Sequence, residues 1–140
     1  LLDSDGVAYG SGNNESGQLG IAGSINNSTN ETTFIKISEE YVVFQQIKCG
    51  GNFTMLLATD HSIYGCGDNT YGQLGLGNTT HYNIPQKISS SLNIKQISCG
   101  EYHSIILIDS GDVYSCGFND DGELGLGNNT EQTTFVKIPS

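Results

Sequence analysis

Short apolar runs separated by glycine-rich and polar stretches set the pattern of this chain, and no stretch places apolar residues at helical spacing. "YVVFQQIKCG" at 41–50 predicts a strand over about 43–49, "FTMLLAT" another over 53–59, and "SIYGC" a third over 62–66. The turn between the last two is Asp60-His61, with Ser110-Gly111 as its counterpart. Two-residue connections of this kind join antiparallel strands. "TFIKI" around Phe34 and "TFVKI" around Phe135 supply a fourth, shorter strand. About four short strands in every fifty residues is the content of one blade of a β-propeller. The expected fold class is therefore all-β, with blades of four-stranded antiparallel sheets.

The pattern repeats. "GCGDNTYGQLGLGN" at 65–78 returns fifty residues later as "SCGFNDDGELGLGN" at 115–128, and "GSGNNESGQLG" at 10–20 is an earlier copy. The stretch from Ile47 aligns without a gap on the stretch from Ile97, and Lys36, Lys87 and Lys137 mark a third point in the same frame. A period of this size means one supersecondary unit used again and again. The units expected are a partial one over about 1–33, whole ones over about 34–83 and 84–133, and the start of another over 134–140. Gly67, Gly72, Gly75 and Gly77 are read as positions of left-handed backbone where the chain leaves one blade for its last strand. Leu74 pins that loop to the core. A phosphate-binding loop would need a G-x-G-x-x-G or Walker pattern ahead of a helix, and neither is present. Units one and two differ by four residues within "AGSINNSTNETT" at 22–33, which reads as a polar surface loop.

Composition narrows the function. The chain has 140 residues, a net charge of −10, five lysines and no arginine. Clustered Lys and Arg are needed to neutralise a phosphate backbone, so direct nucleic-acid binding by this segment is not expected. A basic protein partner fits an acidic surface. There is no apolar run of about 18 residues, hence no helical membrane span. Cys49, Cys66, Cys99 and Cys116 follow the repeat in separations of 17, 33 and 17. That spacing suits buried free thiols better than a disulfide framework or a zinc knuckle, and points to the interior of the cell, nucleus or cytoplasm. His61, His81 and His103 have no ligand-like spacing, and "DSDG" at 3–6 and "NDDG" at 119–122 lack the distal glutamate of a calcium loop. No metal, cofactor or catalytic residue is expected. Ser104 and His103 are adjacent on a strand and so point to opposite faces.

Cys99, Gly100, His103 and Ser104, then 111–117 with Asn119, then 122–127, form the succession "CG-x-x-H-S", "G-D-V-Y-S-C-G-x-N", "G-x-L-G-x-G". This resembles the regulator of chromosome condensation repeat, over essentially the whole chain. It departs from that pattern at Cys66 and Cys116, where the family usually has Trp, and at Phe53, which replaces the family histidine. The resemblance implies a seven-bladed β-propeller, of which two to three blades are present. The remaining blades, or self-association, are then needed to close the ring. It also implies a non-enzymatic scaffold for protein partners, or alternatively a guanine-nucleotide exchange factor for a small GTPase. Propellers bind partners through loops at the ends of the channel. The candidate partner-binding residues are accordingly Gly51, Asn52 and Phe53 on one blade and Glu101, Tyr102 and His103 at the matched place on the next, with Phe53 or Tyr102 as an exposed aromatic anchor.

Overall fold

The computed structural model describes residues 1–22, 30–37, 41–88 and 91–139. Among these there are ten strands and no helix. β1 (Tyr9–Gly12) and β2 (Glu31–Lys36) form a two-stranded sheet. β3 (Phe44–Cys49), β4 (Phe53–Ala58), β5 (Ile63–Gly67) and β6 (Tyr82–Ile88) form a four-stranded antiparallel meander. β7 (Ile94–Cys99), β8 (His103–Ile108), β9 (Val113–Gly117) and β10 (Gln132–Lys137) repeat it. The inserted polar loop falls largely on residues 23–29, outside the described ones.

β4 is buried along its whole length because it lies between the other two sheets. Alternate side chains point to opposite faces of a strand. Phe53, Met55 and Leu57 join Ile94, Ile97, Ile106 and Leu74 in one core, while Leu56 and Ala58 join Ala8, Ile37 and Phe44 in another. A strand covered on both faces reads as a continuous apolar run, and "FTMLLA" is one. β8 buries Ser104, Ile106 and Ile108 against its neighbour and leaves the alternate residues half-covered. The first strands of the two larger sheets meet through Gln46. Its side-chain amide donates to the Lys95 carbonyl at 2.9 Å, and its carbonyl accepts from the Ile97 amide at 3.3 Å. That contact satisfies backbone groups on the edge strand β7, which would otherwise be open.

The glycine-rich stretches do more than turn the chain: the first two each close over the next sheet. The Gln18 carbonyl accepts from Thr54 Oγ1 at 2.8 Å and the Gln73 carbonyl accepts from Ser104 Oγ at 2.7 Å, one unit apart. The thiols of Cys66 and Cys116 donate to the same two carbonyls. Gly77 N–H then donates to the Thr133 carbonyl, and Leu76 bridges Thr134, so the loop pairs with the edge strand β10. Gly72, at φ 78°, lies so close to β10 that an added Cβ would stand 2.5 Å from the Thr133 Cα. In the second and third loops a buried asparagine fixes the shape. Asn69 Oδ1 accepts from Leu74 N at 3.0 Å, and Asn119 Oδ1 accepts from Leu124 N at the same distance. Leu74 is fully buried, as its anchoring role requires.

One local expectation is corrected. Leu57 faces Ile63, Ala58 N donates to the Ser62 carbonyl and His61 N donates to the Ala58 carbonyl, so the β4–β5 connection is a three-residue loop. Its form is a tight turn followed by a left-handed residue, which bulges the strand. The left-handed position is Gly6 in the first unit and Gly111 in the third, but His61, at φ 68°, in the second. His61 tolerates this place while its Nδ1 lies 3.0 Å from the Ile94 carbonyl of the next sheet. A side chain on left-handed backbone costs about 1–2 kcal/mol. His61→Gly should therefore be more stable than His61→Ala by about 1 kcal/mol in chemical denaturation, since both lose the ring contact and only one keeps the strain. Equal stabilities would contradict a left-handed residue 61.

Candidate partner-binding face

Sheet packing brings the two short loops before β4 and β8 side by side at one end of the blades. Gly51 N–H donates to the Glu101 carbonyl at 3.0 Å, linking adjacent blades directly. The loops also fasten the start of each glycine-rich stretch: Asp68 N–H donates to the Asn52 carbonyl at 2.8 Å and Phe118 N–H to the Tyr102 carbonyl at 3.0 Å. Gln18 Nε2 reaches Asn52 Oδ1 at 3.4 Å from the preceding unit. Loops held this way present side chains on a rigid frame, which is what a recognition surface needs.

The six residues picked from the sequence are brought together, with different exposures. Gly51, Asn52 and Glu101 are exposed, and Tyr102 and His103 are half-buried. Phe53 is corrected: at 1% exposure it is a core residue and offers no surface anchor. Phe53 and His103 do the same work, since each ring lies across the glycine that opens its loop. A Cβ added at Gly50 would fall 2.0 Å from the Phe53 ring, and one at Gly100 would fall 2.2 Å from the His103 ring. A flat ring of either chemistry fits there, which explains why phenylalanine can replace histidine in one unit.

Two aromatic residues that sequence reasoning missed belong to this face. Tyr71, Tyr102 and Phe118 pack edge to face, with ring centroids 5.4, 4.9 and 6.2 Å apart. The signal was available in the repeat frame. The same three places one junction earlier hold Ser16, Asn52 and Asp68, all polar. The Glu101 carboxylate, as hydrogen-bond acceptor and negative neighbour, holds the Tyr102 phenol above its ordinary range. Asp68 is already engaged: it accepts from Thr70 Oγ1 at 2.6 Å and from Gln73 Nε2 at 3.1 Å, and lies 3.4 Å from His81 Nε2. The pairing is consistent within the repeat. Asn13 and Gln18 make the same contact in the first unit. In the third, Phe118 stands where the acceptor was and Glu123 replaces the amide donor.

The arrangement suits binding. The Ser104 hydroxyl is buried and committed to the Gln73 carbonyl, and Thr54 holds the equivalent bond, so neither is a poised nucleophile. "DSDG" is a turn in which Asp3 Oδ1 accepts from the amides of Asp5 and Val7. Among the described residues no three of His, Cys, Asp and Glu converge in a metal-holding group. No described helix is long and apolar enough to cross a membrane. None of the four cysteines is in a disulfide; Cys49 is exposed, Cys66 and Cys116 are buried, and Cys99 is intermediate.

The family model of the regulator of chromosome condensation (RCC1) repeat matches residues 5–57, 60–107 and 110–140. The chain belongs to this family. The match over 60–107 takes β5 and β6 from one sheet and β7 and β8 from the next, so a single repeat fastens two blades together. The chain is similar to the X-linked retinitis pigmentosa GTPase regulator of Canis lupus familiaris, 35% identical over 60% of this chain and 8% of that protein. It is similar to the secretion-regulating guanine nucleotide exchange factor of Bos taurus, 38% identical over 54% of this chain and 16% of that protein. It therefore spans only a small part of the length of these relatives. The crystal structure of Prp20p from Saccharomyces cerevisiae, reported with its binding properties to Gsp1p and histones, superposes with a TM-score of 0.90. That likeness covers 99% of this chain and 35% of the other at 22% identity, and it shows the fold: β-propeller blades.

Burial sets the reactivity of the thiols. It pushes Cys99 from an ordinary 9.0 up to about 12, and pushes Cys116 well above its ordinary value. At neutral pH a maleimide should label Cys49 first and Cys66 and Cys116 only on unfolding, as read by peptide mass spectrometry. Labelling of Cys116 as fast as Cys49 would contradict the packing. Because folding raises these values, the thiols' contribution to stability is intact below pH 9 and is lost as the pH climbs toward 12.

Proposed function

We propose that this member of the regulator of chromosome condensation repeat family is a protein-interaction scaffold that binds partners through the end carrying the Gly51-Asn52 and Glu101-Tyr102 loops. One observation carries the reading. Loops from two adjacent blades are hydrogen-bonded to each other and display unlike side chains on a like frame. Unlike side chains at matched places are how a repeated fold encodes a particular partner. Gly51, Asn52, Glu101, Tyr102 and His103 are the residues assigned to it, with Phe53 supporting from below. No catalytic role and no cofactor are invoked, and the partner is a protein rather than a nucleic acid. A nuclear or cytoplasmic setting suits the free thiols.

The repeat frame we propose has units over about 34–83 and 84–133, counted from one outer strand to the next. The family model's phase, opening at the hairpin turn, is a cyclic shift of the same period. Phe34 is 61% exposed at the place where Pro85 and Phe135 lie under Gly20 and Gly75. That open face supports a ring closed by further units, seven blades in all, or by self-association.

A second reading, guanine-nucleotide exchange on a small GTPase, is favoured by the similarity to the bovine exchange factor. Exchange requires only that the nucleotide-free partner be bound better than the loaded one. The test is capture of partners by the protein, with mass-spectrometric identification and with nucleotide-free and GTP-loaded GTPases scored separately. Asn52→Lys with Glu101→Lys should reduce capture about tenfold, the scale of an interface hot spot, while Ser110→Lys in the hairpin turn at the other end should not. Partners indifferent to the loop change would overturn the assignment. Capture of a nucleotide-free GTPase, with faster release of its labelled GDP, selects the exchange reading.

A further inference from the structure

The rings of Tyr71, Tyr102 and Phe118 belong to neither apolar core and are not among the residues packed against the cores. Nor does the interlock between blades require them. The preceding junction makes the same backbone contacts with Ser16, Asn52 and Asp68 in their places. Three half-buried aromatic side chains gathered at one junction, where the repeat does without them, form a surface with no structural task. Aromatic faces carry negative potential and take up cations within about 6 Å of a ring centroid. The surroundings add to that field. Glu101 is exposed and accepts from the Tyr102 hydroxyl, Asp68 lies within electrostatic reach of Tyr102, and Asp120 and Asp121 are exposed just after Phe118. All five lysines lie on strands, at Lys36, Lys48, Lys87, Lys95 and Lys137, and the chain carries a net charge of −10. His81, held against Asp68 and Thr70, is the one basic group recorded beside these carboxylates among the described residues.

We propose that this junction binds a basic peptide segment of a protein partner, seating an arginine side chain on the rings of Tyr71, Tyr102 and Phe118 with Glu101 and Asp120 at its rim. The inference rests on the scaffold reading and gives the partner's chemistry. Arginine fits better than lysine, because its planar guanidinium can stack on a ring while its edge N–H groups reach the carboxylates.

The probe is a fluorescein-labelled peptide of alternating glycine and arginine, followed by anisotropy, with a citrulline counterpart that keeps the shape and lacks the charge. The protein should bind the arginine peptide saturably and the citrulline peptide about tenfold more weakly. Tyr102→Asn and Phe118→Asp install the residues of the preceding junction, so both should fold with thermal midpoints near that of the parent. Each should weaken arginine-peptide binding about tenfold. Phe118→Asp is decisive because it adds a negative charge. Attraction by charge alone would make that variant bind more tightly, and such a result overturns the proposal, as does unchanged binding by Tyr102→Asn. If the arginine peptide fails to bind while partner capture still depends on Asn52 and Glu101, this inference falls and the scaffold reading stands.

Discussion

Two backbone carbonyls, those of Gln18 and Gln73, receive the hydroxyl and the thiol of the following sheet, and the rest of the structure is arranged to put them there. The carbonyls lie in glycine-rich loops because only a left-handed, side-chain-free backbone comes close enough to a sheet edge to be bound by it. The leucine after each of these residues is buried, so the polar contact is shielded from water and the loop is fixed at once by hydrogen bonds and by apolar burial. Position, closeness and dryness are met together.

The stack of blades follows from this contact. A four-stranded sheet has two faces and two edges to satisfy, and one unit alone can cover neither. The loop from the unit before covers part of a face and pairs with the outer strand, while Gln46 bridges first strand to first strand. The repeat matched by the family model is out of phase with the sheets, so the covalent chain itself ties one blade to the next. Unit-to-unit contacts of this kind make stability a sum over neighbours. They also leave most side chains of the loops at the blade ends free to vary, since those loops are fastened mainly through their backbone.

Much of the fold was legible in the sequence because the repeat displays it three times. The strand positions, the antiparallel hairpins, the anchoring by Leu74 and the free thiols could each be read by comparing copies. Two features were not legible, for physical reasons. The hairpin turn could not be counted from residue types, because His61 hides a left-handed position that Gly6 and Gly111 reveal in the other units. Phe53 occupies the end of a blade, where the sequence offers it as an exposed anchor, whereas its ring folds back over Gly50 into the core. The candidate face was half visible. Tyr102 stood out against Asn52, but Tyr71 and Phe118 come from two other loops, after β5 and after β9, and Tyr71 meets the other two only across the junction between blades.

The interlock can be measured apart from backbone strain, because Gly72 and Gly122 are equivalent and have nearly equal φ angles of 78° and 83°. An alanine Cβ at Gly72 would meet the Thr133 Cα at 2.5 Å, whereas one at Gly122 would meet nothing within 4 Å. Equal torsional cost is therefore expected at both sites, and a steric cost of about 2 kcal/mol at Gly72 alone. The measurement is the difference in unfolding free energy between Gly72→Ala and Gly122→Ala in urea, with residues 1–140 kept monomeric so that no other unit lies over Gly122. A larger loss for Gly72→Ala by about that amount is the predicted result, and equal losses would show that the glycine-rich loop does not lock onto the following sheet.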